Sequence, residues 1–303
     1  MNKVLLAKFL AAFSALSAGF AIVATRLIIA ETEPVTLAFL RFSIGAVCLI
    51  PFLIVGFRRN PIVRADWLPV LLLGITLFGI FAWLFSSSLK YTTAAHGAIG
   101  LASLPIVTLI LAWLFSREQM SRIKIFSVVL AFLGVTVAVS DSLFAEAAGK
   151  DLLLGDILML LATLAVAVYT VFAKPYIARY GPFFFTALAM VIGVTSLAFV
   201  VGYNGGLSAW PQFSPLGWWL LIFLGVIGGA IQFTAYIWAL RWIPPSQAGI
   251  ALTLTPISAF IIAWPALGEP VTVEAVIGLA LVLTAIFLIN RTPPEGRIKI
   301  EPG

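Results

Sequence analysis

A chain of 303 residues would ordinarily divide into about two soluble domains. Its 62% hydrophobic residues, 10% charged residues and mean hydropathy of +1.13 exclude a soluble globular protein, whose apolar share is roughly 45 to 50% and charged share about 25%. The excess of 18 Lys+Arg over 12 Asp+Glu needs no nucleic-acid partner, because cytoplasmic loops of membrane proteins ordinarily supply it.

The chain reads as an all-α integral membrane protein. A hydrocarbon core of about 30 Å takes roughly 20 helical residues per crossing, and the sequence offers ten such spans. They fall near residues 8–30, 34–56, 67–89, 94–115, 121–140, 152–173, 182–202, 216–240, 246–266 and 272–290. The first is expected to be retained, since its apolar run from Phe9 to Thr25 exceeds a signal-peptide core. Breaks between spans carry turn residues or charge: Glu31 to Pro34, Arg58 to Pro61, Arg117 to Arg122, Asp141 to Asp151, Gly181 with Pro182, Asn204 to Pro215, Pro244 with Pro245, and Gly268 to Pro270. Cys48, the single cysteine, sits in an apolar run and reads as packing.

Lys and Arg near short loops resist translocation. With the N-terminus inside, 14 of the 18 basic residues fall on cytoplasmic segments and eight of the 12 carboxylates fall outside. Both termini are therefore expected in the cytoplasm.

An internal repeat organises the chain. Residues 99–118 (IGLASLPIVTLILAWLFSRE) lie over residues 250–269 (IALTLTPISAFIIAWPALGE), matching Pro105 with Pro256, Trp113 with Trp264 and Glu118 with Glu269 at an offset of 151. The same offset pairs Gly74 with Gly225, Leu89 with Leu240 and Lys90 with Arg241, whereas an offset of 148 pairs Arg26 with Lys174 and Pro34 with Pro182. Two five-helix repeats, 1–148 and 149–290, followed by a cytoplasmic tail at 291–303, are the expected organisation. An odd number of crossings per repeat inverts the second in the membrane, an arrangement that suits alternating access around a midplane site.

Polar groups deep in hydrocarbon are functional by default, whereas those near helix ends can snorkel. Arg41 lies roughly 10 Å inside the second helix by its rise per residue; it is either a partner for an anionic substrate group or a residue snorkelling outward. Pro105 and Pro256 each free a backbone carbonyl near a helix centre, and read as paired hinges or as plain kinks. Ser103, Thr108, Thr253, Thr255 and Ser258 are close enough to replace the lost bond or face a cavity. His96 is expected near the outer mouth, as a donor in a vestibule or as a loop-edge residue; with no cysteine partner it makes a zinc site improbable. Phe78, Trp83, Tyr169, Phe233 and Trp238 form an aromatic set for an apolar substrate side chain, and Gln232 either lines the same cavity or bonds a neighbouring helix. Trp67, Trp210, Trp218, Trp219 and Trp242 fit interfacial anchors, while Glu118 and Glu269 fit helix-start caps. No Asp or Glu falls inside a span away from its ends, Asp156 and Glu274 being placed close to the outer surface, so no proton-carrying midplane carboxylate is expected. Catalytic motifs are absent, no cofactor or metal is implied, and the expected partners are a small-molecule substrate and the lipid bilayer.

The repeat, FLRF at 39–42 and GEPVT at 268–272 together resemble the drug/metabolite transporter superfamily with tandem EamA-type halves, over nearly the whole chain. The first half departs from the pattern, reading SREQMS at 116–121. The resemblance implies export or exchange of small organic metabolites from a bacterial inner membrane, with YddG-like amino-acid exporters prominent in the superfamily. Export of amino acids with large apolar or aromatic side chains is the expectation. A lipophilic-cation drug exporter and a non-transporting structural or regulatory subunit are the alternatives.

Overall fold

The computed structural model describes residues 3–115, 120–138, 140, 147–203, 211–243, 251, 254–268 and 272–291. Every regular element among them is helical. In hydrocarbon a backbone polar group has no water to bond, and a helix satisfies nearly all of its own.

In chain order the helices are α1 (Lys3–Ile28), α2 (Pro34–Arg59), α3 (Trp67–Gly74, Ile75–Phe81 and Ala82–Tyr91), α4 (Ala94–Ala102 and Leu104–Leu114), α5 (Arg122–Ala138), α6 (Ala147–Tyr180), α7 (Pro182–Tyr203), α8 (Pro215–Gly225, Val226–Ile231 and Gln232–Trp242), α9 (Leu254–Leu267) and α10 (Val273–Arg291). Among the described residues seven segments, belonging to α1–α4 and α6–α8, are long and apolar enough to cross a membrane; Leu254–Leu267 and Val273–Leu288 are apolar but shorter. The expected start of α9 near residue 246 lies outside the described residues.

Charge marks the helix ends less sharply than turn chemistry does. Hydropathy ends the sixth span at 173, yet α6 runs on to Tyr180 through Lys174, Pro175 and Arg179. It stops where Gly181 takes a φ of 81°, the left-handed conformation that ends many helices, and Pro182 opens α7.

The middle segments of α3 and α8, Ile75–Phe81 and Val226–Ile231, are wound as π-helix. Each begins directly after a glycine, Gly74 and Gly225, the pair 151 residues apart in the sequence repeat. Such wide turns skip a backbone partner and are concentrated at functional positions. In α8 the Gln232 N–H reaches the carbonyls of Ile227 and Gly229. The intervening carbonyl, that of Gly228, accepts from Arg41 Nη2 at 3.0 Å.

Packing brings the helices into two groups of three and two pairs that also touch them. α1 packs on α8 and α9; α6 packs on α3 and α4; α2 lies along α7, and α5 along α10, while α7 also packs on α3 and α2 on α8. Exchanging the first five helices for the second five turns one group of three into the other and each pair into itself. The α1–α9 contact is backbone-close, because a Cβ on Gly19 would stand 2.5 Å from the Thr255 carbonyl oxygen.

Each group is tied at one end by polar contacts. Arg179 Nη1 and the Tyr180 hydroxyl both donate to Asp66 Oδ2, fastening the end of α6 to the start of α3, and Tyr180 Oη accepts from the Val63 N–H at 3.1 Å. At the opposite end Glu31 accepts from the Ser214 N–H and hydroxyl, each at 2.8 Å, fastening α1 to the start of α8. The two ties correspond at the 148 offset: Asp66 with Ser214, and Glu31 with Arg179. Because Arg179 is more than half exposed, Arg179→Gln is expected to cost less than about 1 kcal/mol. Tyr180→Phe removes two hydrogen bonds from a buried hydroxyl and is expected to cost about 1 to 3 kcal/mol. Thermal denaturation in detergent checks this order, Tyr180→Phe giving the larger fall in Tm.

Candidate functional site

A cavity of about 70 Å³ lies between the two three-helix groups. Its walls differ in chemistry. From α1, α8 and α9 come Ser14, Gln232, Tyr236 and Thr255 with Phe233, and from α3, α4 and α6 come Phe81, Leu101, Leu104 and Val166. The polar side chains of the lining thus all come from the first group, which also gives Ala18, while the cavity surface as a whole is mainly apolar. The Gln232 side-chain oxygen is buried without a hydrogen-bond partner, a state costing about 1 to 3 kcal/mol unless something in the cavity donates to it.

A second cavity of about 140 Å³ opens between α6 and α8, lined by Tyr169, Lys174 and Ile177 on one side and Tyr236 and Arg241 on the other. Tyr236 borders both spaces. We call the larger one the vestibule. It lies at the end of the bundle where α6 and α8 terminate.

The other end of the same two groups is latched. Arg26 Nη1 of α1 donates to the carbonyl oxygens of Leu89 (2.9 Å) and Lys90 (3.3 Å) at the end of α3, and Lys90 Nζ stands 3.4 Å from Glu33 Oε2. In the repeat, Arg26 corresponds to Lys174, and Leu89 and Lys90 correspond to Leu240 and Arg241. Equivalent positions therefore bracket a latch at one end and an open vestibule at the other.

The expected site residues divide among several places. Gln232, Phe233 and Thr255 meet in the central cavity; the Thr255 hydroxyl also donates to the Ala15 carbonyl at 3.0 Å. Tyr169 lines the vestibule. Trp238 faces an apolar groove of about 510 Å³ between α1, α2, α7 and α8, together with Cys48, which is exposed rather than packed inside. Phe78 is fully buried and packs edge-on to Phe42 and Phe233, with ring centroids 5.3 and 5.1 Å away, so it is packing that supports the cavity wall. Trp83 is 48% exposed and stands on the exterior of the bundle, which corrects its assignment to the lining. Thr253 lies outside the described residues, as do Glu118, Glu269 and Trp210.

Pro105 stands at the start of the second segment of α4, after a break at Ser103. Three bonds repair that break. The Gly100 carbonyl accepts from the Ser103 N–H at 3.2 Å, the Ser103 hydroxyl at 2.6 Å and the Thr163 hydroxyl of α6 at 3.2 Å. Ser103 thus mends the helix. Pro256 lies near the start of the described part of α9, and the Ser258 hydroxyl donates to the Thr255 carbonyl at 3.0 Å.

His96 and Asp156 differ most from expectation. Asp156, beside the turn between α3 and α4, is only 5% exposed, because Gly155 lets α6 slide under that turn; a Cβ there would stand 2.6 Å from the Thr92 nitrogen. His96 Nδ1 lies 3.1 and 3.2 Å from its carboxylate oxygens and the Thr92 hydroxyl donates to it. His96 is buried against that carboxylate rather than turned into a vestibule.

Arg41 is 3% exposed. Beyond its bond to Gly228 it stacks near the rings of Phe42 (4.9 Å) and Phe85 (5.5 Å), and its Nε has no partner. No described carboxylate lies within ion-pairing distance of it. A Cβ on Gly228 would approach both Arg41 Nη2 and Gln232 Oε1, at 3.5 and 3.8 Å, so this glycine keeps the guanidinium and the amide on adjoining ground.

Ser14, Phe81, Leu101, Leu104, Val166 and Tyr236 line the cavity without having been singled out by sequence. Tyr236 had a usable signal: it stands four residues after Gln232, one turn along the same helical face. The apolar four carried none, since each stands among like residues.

The EamA-like transporter family matches the chain twice, over residues 5–140 and 153–291. An uncharacterized transporter of Archaeoglobus fulgidus is 27% identical over 274 residues, covering 90% of this chain and 94% of its own. The uncharacterized transporter YyaM of Bacillus subtilis is 27% identical, with 84% of each chain covered. The chloroplastic WAT1-related protein At3g02690 of Arabidopsis thaliana is 24% identical over 92% of this chain and 67% of its own. A crystal structure with a TM-score of 0.61 and 19% identity covers 95% of this chain and 96% of that one, a likeness of fold. With both halves matched, the chain belongs to the EamA-like transporter family.

Proposed function

We propose that this transporter is an alternating-access exporter of small organic metabolites, amino acids with large apolar or aromatic side chains foremost, in a bacterial inner membrane. One observation carries the reading: a latch and an open vestibule occupy repeat-equivalent places at opposite ends of the same two helix groups. In a molecule made of two inverted halves, the closed end is a template for how the open end closes. Rocking α1, α8 and α9 against α3, α4 and α6 would release Arg26 from the end of α3 and bring Lys174 to the corresponding end of α8.

Ten crossings in two five-helix halves, 1–148 and 149–290, follow in this reading. The exchange pattern of the helix pairs, the two π-wound segments and the two end ties support it. Lys174, Arg179 and Arg241 stand toward the vestibule end, and this positive charge supports a cytoplasmic placement of that end, with both termini. The central cavity of about 70 Å³ falls below the roughly 300 Å³ at the lower end of ligand sites, so in this mechanism the two groups part as solute enters. The few polar side chains, all from α1, α8 and α9, suit an amino-acid backbone, and the mainly apolar remainder of the lining suits its side chain.

Labelling of single cysteines in a Cys48→Ala background checks the sidedness: a cysteine at position 147 is expected to react from outside and one at position 60 only after permeabilisation. The reverse pattern would invert the direction assigned to the vestibule.

Flux of labelled amino acids into proteoliposomes tests the function itself. Movement of phenylalanine or leucine above protein-free liposomes is expected, with Gln232→Ala and Phe233→Ala lowering it at least about tenfold, the equivalent of roughly 1.4 kcal/mol. Trp83→Ala and Trp219→Ala, on the exterior, are expected to leave it within about twofold at equal abundance. No amino-acid flux in wild-type protein, or equal losses for exterior and cavity variants, contradicts the reading.

A further inference from the structure

We propose that the vestibule between α6 and α8 is an anion-binding site that admits carboxylate-bearing solutes and turns away cations. The proposal deepens the transport reading, on which it rests, by naming a substrate class. Lys174 and Arg241 face one cavity from opposite helix groups, and no described carboxylate lies within ion-pairing distance of either. Asp66, the carboxylate near the end of α6, is held by Arg179 and Tyr180.

Tyr169 supplies the second observation. It is 4% exposed and lines the same cavity, yet its hydroxyl has no hydrogen-bond partner. A buried hydroxyl left unbonded costs about 1 to 3 kcal/mol; an oxygen of a solute carboxylate in the vestibule would accept from it while the two cations balance the charge. Charge-assisted bonds of this type are about twice as strong as neutral ones. Ile177 and the tyrosine rings give the rest of the solute an apolar surface, and Tyr236, common to both cavities, places the site on the way to the central one. Further in, the buried Arg41 guanidinium bonds the Gly228 carbonyl and has no described carboxylate beside it. A lipophilic cation would meet like charge at both positions.

Lipid phosphate is an alternative source of the same chemistry, since long basic side chains near a membrane surface also reach for headgroups. The test separates the two sources. Full-length protein in phosphatidylcholine nanodiscs is titrated with labelled phenylacetate, phenylalanine and phenethylamine, which share a ring and differ in charge. Phenylacetate and phenylalanine are expected to bind, phenethylamine at least about tenfold more weakly, and phosphatidylglycerol to leave phenylacetate binding within about twofold. Lys174→Gln with Arg241→Gln is expected to weaken phenylacetate binding at least about tenfold and to erase the charge preference. Tyr169→Phe is expected to weaken it severalfold, while Arg241→Lys, which keeps the charge, stays within about threefold.

Equal binding of phenethylamine and phenylacetate overturns the proposal. So do unchanged binding in the double variant, loss of phenylacetate binding on adding phosphatidylglycerol, and no binding of any probe at millimolar concentration. Amino-acid flux in proteoliposomes without a charge preference would sink the site alone; the preference without flux would sink the transport reading and leave the site.

Discussion

A backbone carbonyl freed inside hydrocarbon must find a donor, and the working parts of this molecule follow from that requirement. The π-wound segment of α8 exposes the Gly228 carbonyl, and Arg41 reaches from α2 to bond it. The break in α4 at Ser103 exposes the Gly100 carbonyl, and hydroxyls from α4 itself and from α6 repair it. Among the described residues the π-wound segments and this break lie in helices that border the central cavity, and those at Gly228 and Gly100 are braced from neighbouring helices. The bracing of Gly228 leaves a guanidinium in a low-dielectric setting with one bond made and its Nε unmatched, a costly state that a bound anion would relieve.

The same economy explains the two three-helix groups. Each is fastened at one end, by Asp66 with Arg179 and Tyr180 or by Glu31 with Ser214, and the buried Asp156–His96–Thr92 cluster fastens the α3, α4 and α6 group at its other end as well. These contacts lie within groups, so they hold each as a body. Between the groups, α4 packs against α9, and among the described residues the polar link is the Arg26 latch at one end, while the other end holds the vestibule bordered by Lys174 and Arg241. Bodies tied internally by polar contacts, with few polar links between them, suit a rocking movement.

Much of the architecture was legible because the bilayer forces it. Apolar runs of fixed length, glycine and proline at the turns, and an internal repeat are all written linearly in the chain. Side-chain direction is not. Trp83 and Phe233 look alike as deep aromatics in the sequence, but one stands on the exterior and the other on the cavity wall, a difference set by helix rotation, which hydropathy around the whole circumference conceals. Wide turns in α3 and α8 shift that rotation again and leave no mark except the glycines that precede them. The burial of Asp156 was hidden for a related reason: counting residues from a helix end gives depth along the axis and says nothing of burial by neighbours, which Gly155 and Thr92 decide.

The claim that the two ends open alternately is tested most directly by pulsed electron–electron resonance on the full-length Cys48→Ala protein in nanodiscs. One spin-label pair spans the latch end, at positions 30 and 91, and a second spans the vestibule, at positions 178 and 242. Arg26→Gln is expected to lengthen the first distance and shorten the second in the same fraction of molecules. Lengthening at the latch with an unchanged vestibule, or movement of both ends in the same sense, would contradict the account.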